Sequence, residues 1–292
     1  MINKLLLCTD LDRTLIPNGA QPESSNARNQ FRKLVNHSDI TLVYVTGRDK
    51  ALVQKAITYY NLPVPDYVIS DVGATIYNLD NSEASNNKSD QPQWQIWQDW
   101  QSCFAIDWKG KTNTDIAELF SDITELRKQE VSKQKLYKLS YYVPLYIDYR
   151  TLMDNMYKRL LSAEVDAELI WSIDEPLGIG LLDVMPKHAT KRNAIEFLMK
   201  KNRFDYSNTI FAGDSGNDLD VLLSPIQSIL VANAHKDVKD IVMETINKTI
   251  NHESIYLAKG GFKHMNGNYS AGILEGVQFY VPEIVQRLEE IE

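Results

Sequence analysis

A run of four or five apolar residues, a polar tip, and then a stretch with apolar positions three and four apart: this unit recurs near the start of the chain and again near its end. KLLLCTD (4–10) and TLVYVTG (41–47) read as buried strands. Between them ESSNARNQFRKLVNHS (23–38) sets Phe31, Leu34 and Val35 on one side of a helix, and DKALVQKAITYYNL (49–62) continues as a helix. DYVISDVGATIY (66–77) gives further short strands around Gly73. Strands alternating with helices predict a parallel sheet covered on both faces.

The pattern then changes. NLDNSEASNNKSDQPQ (78–93) has almost no apolar side chains and reads as a loop or linker. After it come WQIWQDWQ (94–101), a polar helix near DIAELFSDITELRKQ (115–129), a strand in KLYKLSYYVPLYI (135–147), a helix in DNMYKRLLSAEV (154–165), and strands in ELIWSI (168–173) and GIGLLDVMP (178–186). From Lys187 the first rhythm resumes: helix RNAIEFLMKK, strand NTIFAGD, helix LDVLLS, strand SILVAN, helix VKDIVMETI. The simplest account is an α/β fold, a parallel-sheet core of residues 1–81 and 187–292, interrupted by a smaller α/β (α+β) insert of residues 82–186.

Composition narrows the function classes. With 43% hydrophobic and 24% charged residues the chain is an ordinary globular one. A net charge of −8 argues against a nucleic-acid partner, whose footprint is basic. Two cysteines, Cys8 and Cys103, imply neither a disulfide framework nor a thiolate metal site, and both read as small buried residues of a reducing compartment. The short apolar start is too weak for a signal peptide, and no run approaches a membrane span, so a soluble cytoplasmic protein is expected.

Four polar constellations sit where predicted strands end or helices begin. Asp10 and Asp12, two apart on an extended segment, project to one side. Such carboxylates repel unless a cation or a shared proton compensates, and an oxygen-seeking ion such as Mg²⁺ fits; a pair of solvated loop aspartates is the plain alternative. With its charge offset, one carboxylate can attack a phosphate while the other moves protons. Thr46, Gly47 and Arg48 offer a hydroxyl, an open backbone N–H and a guanidinium suited to phosphate oxygens, or simply a capped turn. Lys191 falls in or just before the first turn of a helix, where the macrodipole disfavours a cation, so it would gain from facing carboxylates and a phosphate. GDSGND resembles a metal-binding loop entering a helix, with Asp214 and Asp218 as candidate ligands and Asn217 as a candidate substrate contact; it lacks the longer run of oxygen ligands of an EF-hand. Parallel-sheet topology would bring all four to one edge.

DLDRT, TGR, Lys191 and GDSGND, in this order, resemble the four signature motifs of the haloacid dehalogenase superfamily. The resemblance implies a Rossmann-like core in which Asp10 is the nucleophile and Asp12 the general acid and base, with Thr46 and Lys191 holding the phosphoryl group. It implies a Mg²⁺ site made by Asp10, the Asp12 backbone carbonyl and Asp214, with Asp218 nearby. Aspartate at position 12 suits phosphate-ester hydrolysis, and the long interval from Thr46 to Lys191 resembles the subclass whose cap lies between the second and third motifs. KLSYYV, DVMPKHATK and IYLAKGG…SAGILEGV further resemble the sucrose-phosphate phosphatase family. What this implies is a phosphatase for a phosphorylated disaccharide, sucrose 6-phosphate first, or mannosylfructose or glucosylglycerol phosphate, with a disaccharide-phosphate synthase as a possible partner. Arg192, where that family usually has glycine, and longer segments at 80–93 and GGFKHMNGNY depart from the pattern. A broad-specificity sugar phosphatase, a phosphomutase and a non-catalytic sugar-phosphate binder are the rivals.

In the insert, Trp94, Trp97 and Trp100 recur every three residues and would share one helical face, as packing residues more than as sugar platforms; Tyr141 and Tyr142 read the same way. Lys187 and His188, near the return to the core, are candidates to touch the substrate, His188 being more often an ordinary loop histidine.

Overall fold

In the computed structural model, residues 4–80, 93–174, 177–248, 254–284 and 286 are described. The chain divides into two compact units, Met1–Ile96 with Lys191–Glu292, and Trp97–Thr190. The larger unit opens with β1 (Leu5–Thr9), α1 (Ala27–Val35), β2 (Ile40–Val45), α2 (Lys50–Tyr60), β3 (Tyr67–Ser70), β4 (Thr75–Asp80) and β5 (Gln93–Ile96). The smaller unit contains α3 (Gln98–Ser102), α4 (Asn113–Glu118), β6 (Arg127–Lys128), β7 (Leu139–Val143), α5 (Tyr149–Ser162), β8 (Ala167–Asp174) and β9 (Ile179–Pro186). The larger unit resumes with α6 (Lys191–Asn202), β10 (Thr209–Gly213), α7 (Leu219–Leu222), β11 (Gln227–Leu230), α8 (Lys236–Lys248), β12 (Ile255–Leu257) and α9 (Ser270–Tyr280).

The larger unit is built on a sheet of order β12-β11-β10-β1-β2-β3-β4-β5. Strands β12 through β3 run parallel, while β4 and β5 fold back antiparallel. Every residue of β1, LLLCT, is buried, as a central parallel strand covered on both faces requires. From β1 the chain winds outward through β2 and β3 on one side and later through β10, β11 and β12 on the other. The order therefore reverses between β1 and β10, the place where parallel sheets of this kind form a crevice at the carboxyl ends of their strands. Phe31 and Leu34 of α1 and Ile273, Leu274 and Val277 of α9 belong to the same buried cluster as Leu5 and Leu7.

The smaller unit is a four-stranded antiparallel sheet, β6-β7-β9-β8, with its own core of Leu139, Tyr141 and Val143 from β7, Leu182 and Val184 from β9, and Met156 and Leu160 from α5. Gly180 lets the Trp171 ring lie across β9, since a Cβ there would stand 2.0 Å from it.

Four expectations are corrected. The tryptophans do not share a helical face: Trp94 lies on β5, opposite Leu79 of β4, Trp97 precedes α3, and Trp100 is buried within α3. Trp94 packs on the larger unit's cluster, so β5 joins that unit's sheet beyond the break expected after residue 81. The helix expected over 115–129 is confined to α4, which is closed at its start by a capping box of Thr112 and Asp115. Of the two cysteines, Cys8 is buried but Cys103 is exposed. Most of the polar stretch 78–93, from 81 to 92, lies outside the described residues. Among the described residues no helix is long and apolar enough to cross a membrane.

Candidate active site

Register places the chemistry. Thr9 of β1 pairs with Tyr44 of β2 and with Ala212 of β10, so Asp10, Thr46 and Asp214 all follow the carboxyl ends of three adjacent strands. The Asp10 N–H donates to the Ala212 carbonyl at 2.9 Å, which fixes the first aspartate to the neighbouring strand. Lys191 is the first residue of α6 and is nearly fully buried. Its ammonium donates to Asp10 Oδ1 at 3.1 Å, to Asn217 Oδ1 at 2.9 Å and to Asp218 Oδ1 at 2.7 Å. Burial alone would push this lysine down, but Asp10 and Asp218 outweigh it and hold the ammonium well above its usual range.

Asp10, Asp214 and Asp218 are all buried, and each offers a carboxylate oxygen within 4.8 Å of the others. Three hard oxygen donors so close fit a divalent cation of the Mg²⁺ type. The electrostatics agree. Burial, reinforced by Asp218, Asp214 and Asp12, holds the Asp10 carboxyl well above the carboxylate range despite Lys191. Burial and the neighbouring Asp218 push Asp214 up to about 6, although Thr14 and Arg13 pull the other way. Charges that resist ionisation in this way are answered by a cation.

Asp218 is also a structural bracket. Its Oδ2 accepts the N–H groups of Asp214 and Ser215, both at 3.1 Å, and the Ser215 hydroxyl at 3.2 Å. This close return is possible because Gly213 has no side chain: a Cβ there would stand 2.7 Å from Asp218 Cγ. Gly213→Ala is therefore expected to destabilise the protein by about 1–3 kcal/mol and to lower activity by dislodging Asp218 from Lys191, as urea titration and a phosphate-release assay would read.

Asp12 lies apart from this cluster. Arg48 grips its carboxylate with Nε at 2.8 Å and with a terminal nitrogen at 2.6 Å, and Asn18 Nδ2 adds a third bond at 2.6 Å. Burial would raise Asp12, but the Arg48 pairing and the Asn18 bond leave it below the ordinary carboxylate range. Thus Arg48, expected on a phosphate, is bound to Asp12, and Asn217, expected on the substrate, is a partner of Lys191. Thr46 is buried, with Oγ1 accepting the Arg48 N–H at 3.2 Å, and Gly47 has no steric demand, a Cβ meeting only Val72 at 3.8 Å.

Other polar residues around the site escaped the sequence reading. Thr14 Oγ1 donates to Asp214 Oδ1 at 3.1 Å and Arg13 Nε to Asp214 Oδ2 at 3.3 Å. Both lie inside the DLDRT motif, which was the available signal. Asn18 carried none. In the smaller unit, Asp107 is buried and its two carboxylate oxygens receive the His188 N–H at 2.8 Å and pair with His188 Nδ1 at 2.7 Å, while Lys187 is exposed. Tyr141 is buried in that unit's core, and Tyr142 donates to Glu130 at 2.8 Å.

With this geometry in view, the comparisons decide the family. A profile described as sucrose-6F-phosphate phosphohydrolase matches residues 3–281. The chain belongs to that family. It thereby stands among the phosphoric monoester hydrolases of the haloacid dehalogenase superfamily. It is 48% identical, over 283 residues, to a Nitrosococcus oceani protein described only as HAD-like hydrolase, covering 97% of this chain and 73% of that protein. It is 27% identical to sucrose-phosphatase 2 of Nicotiana tabacum over 80% of its own length, and spans about half (52%) of that protein. Its fold matches that of the sucrose-phosphatase from Synechocystis sp. PCC6803, solved with sucrose and phosphate, with a TM-score of 0.71 and 20% identity over 96% of this chain and 98% of that one.

Proposed function

We propose that the protein is a Mg²⁺-dependent phosphatase that hydrolyses a phosphorylated disaccharide, with sucrose 6-phosphate as the substrate, and that the smaller unit supplies selectivity for the sugar. The observation that carries this reading is the joining of Asp10, Asp214 and Asp218 with the buried Lys191 at the reversal point of the sheet, in a chain of this family. Asp10, Asp214 and the Asp12 carbonyl would hold Mg²⁺, with Asp218 beside them, and the ion would offset charge so that a carboxylate can approach a phosphate dianion.

Asp10 then attacks phosphorus, the sugar oxygen leaves with a proton from Asp12, and an aspartyl-phosphate remains. Asp12 next takes a proton from the water that attacks this intermediate, releasing phosphate and restoring Asp10. Lys191 and the Thr46 hydroxyl hold the phosphoryl oxygens. The Arg48–Asn18 clasp keeps Asp12 ionised, which is the state needed to accept the proton from water. The proton that Asp12 takes from the attacking water is the one it gives to the next leaving sugar, so the clasp must loosen while Asp12 carries it, and Arg48 governs the proton of Asp12.

A second substrate is favoured by one observation. A mannosylfructose-phosphate phosphatase of Agrobacterium fabrum is 25% identical over 94% of this chain. The deciding experiment measures phosphate release from sucrose 6-phosphate, mannosylfructose phosphate, glucosylglycerol phosphate and the hexose phosphates, with Mg²⁺ and with chelator. The expected result is the highest kcat/KM on sucrose 6-phosphate and loss of turnover with chelator. Faster turnover of hexose phosphates than of any disaccharide phosphate overturns the substrate assignment, and isomerised product without free phosphate would make the protein a mutase.

A metal dependence on pH follows from Asp214. A carboxyl held up to about 6 binds its proton more tightly in the folded than in the unfolded chain. Its contribution therefore favours folding at low pH and is lost as pH rises through that value, leaving a charge that Arg13 offsets only in part and that Mg²⁺ can satisfy. The rise in melting temperature on adding excess Mg²⁺ should accordingly be small near about pH 5 and large near about pH 7.5. A shift that is equal at both would refute Asp214 as a ligand.

A further inference from the structure

We propose that Arg13 is a tuning cation of the carboxylate cluster: its guanidinium answers the charge of Asp214, weakening divalent-ion binding there while strengthening the hold on a phosphate dianion. This rests on the Mg²⁺ reading above. Arg13 takes a φ of 59°, a left-handed backbone that glycine adopts freely and that residues with a Cβ resist. Glycine would satisfy the turn, so what the arginine adds there is its side chain.

That side chain is held in place from several directions. The Arg13 N–H donates to Asn18 Oδ1 at 2.8 Å, and its carbonyl accepts Asn233 Nδ2 at 2.6 Å. Nε donates to Asp214 Oδ2 at 3.3 Å, and a terminal nitrogen to the Asn233 carbonyl at 3.4 Å. Asn233, just past β11, is itself anchored, because its Oδ1 accepts the N–H of the buried Tyr269 at 2.8 Å. A guanidinium fixed by both its backbone and its fork is a permanent charge of the site.

The ion pairs divide the work. Lys191 pairs with Asp10 and Asp218, and Arg13 pairs with Asp214. A divalent ion entering the cluster therefore meets the repulsion of Arg13 through the very carboxylate it shares. The loaded site, in return, keeps one more positive charge toward an incoming dianion. Three carboxylates facing Lys191 alone would hold the metal more tightly and the phosphate less well.

The test uses the full chain and the variants Arg13→Asn and Arg13→Lys. Asparagine tolerates the left-handed backbone without the charge, and lysine keeps the charge without the fork. Calorimetry measures Mg²⁺ binding without substrate, and then binding of inorganic phosphate at saturating Mg²⁺. Arg13→Asn is expected to bind Mg²⁺ about tenfold more tightly and phosphate about tenfold more weakly, with Arg13→Lys near the parent on both. A residue that merely braced Asp214 would weaken both when removed; that result, or no change in either, overturns the proposal. Absence of Mg²⁺ binding by the parent protein would instead defeat the metal reading on which it stands.

Discussion

With Asp10 as the proposed nucleophile, Asp10→Asn is expected to abolish phosphate release, lowering kcat by roughly 10⁴-fold or more, as removal of a nucleophile does elsewhere. The reason is positional as much as chemical. Asp10 follows the central strand, its N–H is tied to the Ala212 carbonyl, and its Oδ1 is held by Lys191 at 3.1 Å. No other carboxylate of the cluster stands in its place: Asp214 is engaged by Thr14 and Arg13, and Asp218 is spent on Lys191 and on the backbone of its own loop. The fold should survive the change. Burial and three neighbouring carboxylates already oppose ionisation of Asp10, so a neutral amide of the same shape relieves repulsion, and Lys191 keeps Asp218 and Asn217 as partners. The melting temperature of the metal-free variant should thus equal or exceed that of the parent, while Mg²⁺ raises it less. A variant that melts normally and still releases phosphate at more than a small fraction of the parent rate would remove Asp10 from the chemistry and revive a non-catalytic role for the protein.

The parts of this site that are local in sequence were legible there, and the parts made by long-range meeting were not. Asp10, Thr46 and Asp214 each follow a strand whose apolar run stops abruptly, and a strand's end in a parallel sheet is a position of known geometry. The pairing of Arg48 with Asp12 spans 36 residues, and nothing in either segment chooses between a carboxylate and a phosphate as the partner of a guanidinium. The sheet was expected to be parallel, but β4 turns back on β3 through Asp71 and Val72, which both adopt positive φ, and β5 pairs antiparallel with β4. Aspartate tolerates such a backbone, but β-branched Val72 gives no sign of a left-handed turn. The three tryptophans misled because a spacing of three was read across the junction of a strand and a helix. Helix α9 was not recognised: SAGILEGV is buried from Ser270 to Val277, and a segment apolar on every side shows no period to detect.

Lys191→Met is expected to be the most damaging single change to stability in the site, at about 3–5 kcal/mol, the loss seen when one member of a buried ion pair is removed. Methionine nearly fills the same volume, so the cost is electrostatic. Lys191 is 2% exposed, and its departure strands Asp10 and Asp218 with Asn217 turned toward them as a further acceptor. The sign of the pH dependence follows. Asp10 is already pushed up by burial, and without the ammonium it is pushed further, so in the variant its protonated form is the one that favours folding. That contribution is present at low pH and lost as pH rises, which makes the deficit relative to the parent largest at neutral pH and smaller in acid. Excess Mg²⁺ should restore part of the stability at neutral pH, because the ion supplies positive charge to the same carboxylates. It should not restore turnover if, as proposed, this ammonium holds the phosphoryl oxygens. Urea unfolding of parent and variant at neutral and acidic pH, with and without Mg²⁺, separates these effects. A deficit independent of both pH and Mg²⁺ would mean that Lys191 stabilises by packing alone, and the electrostatic account of the site would fail with it.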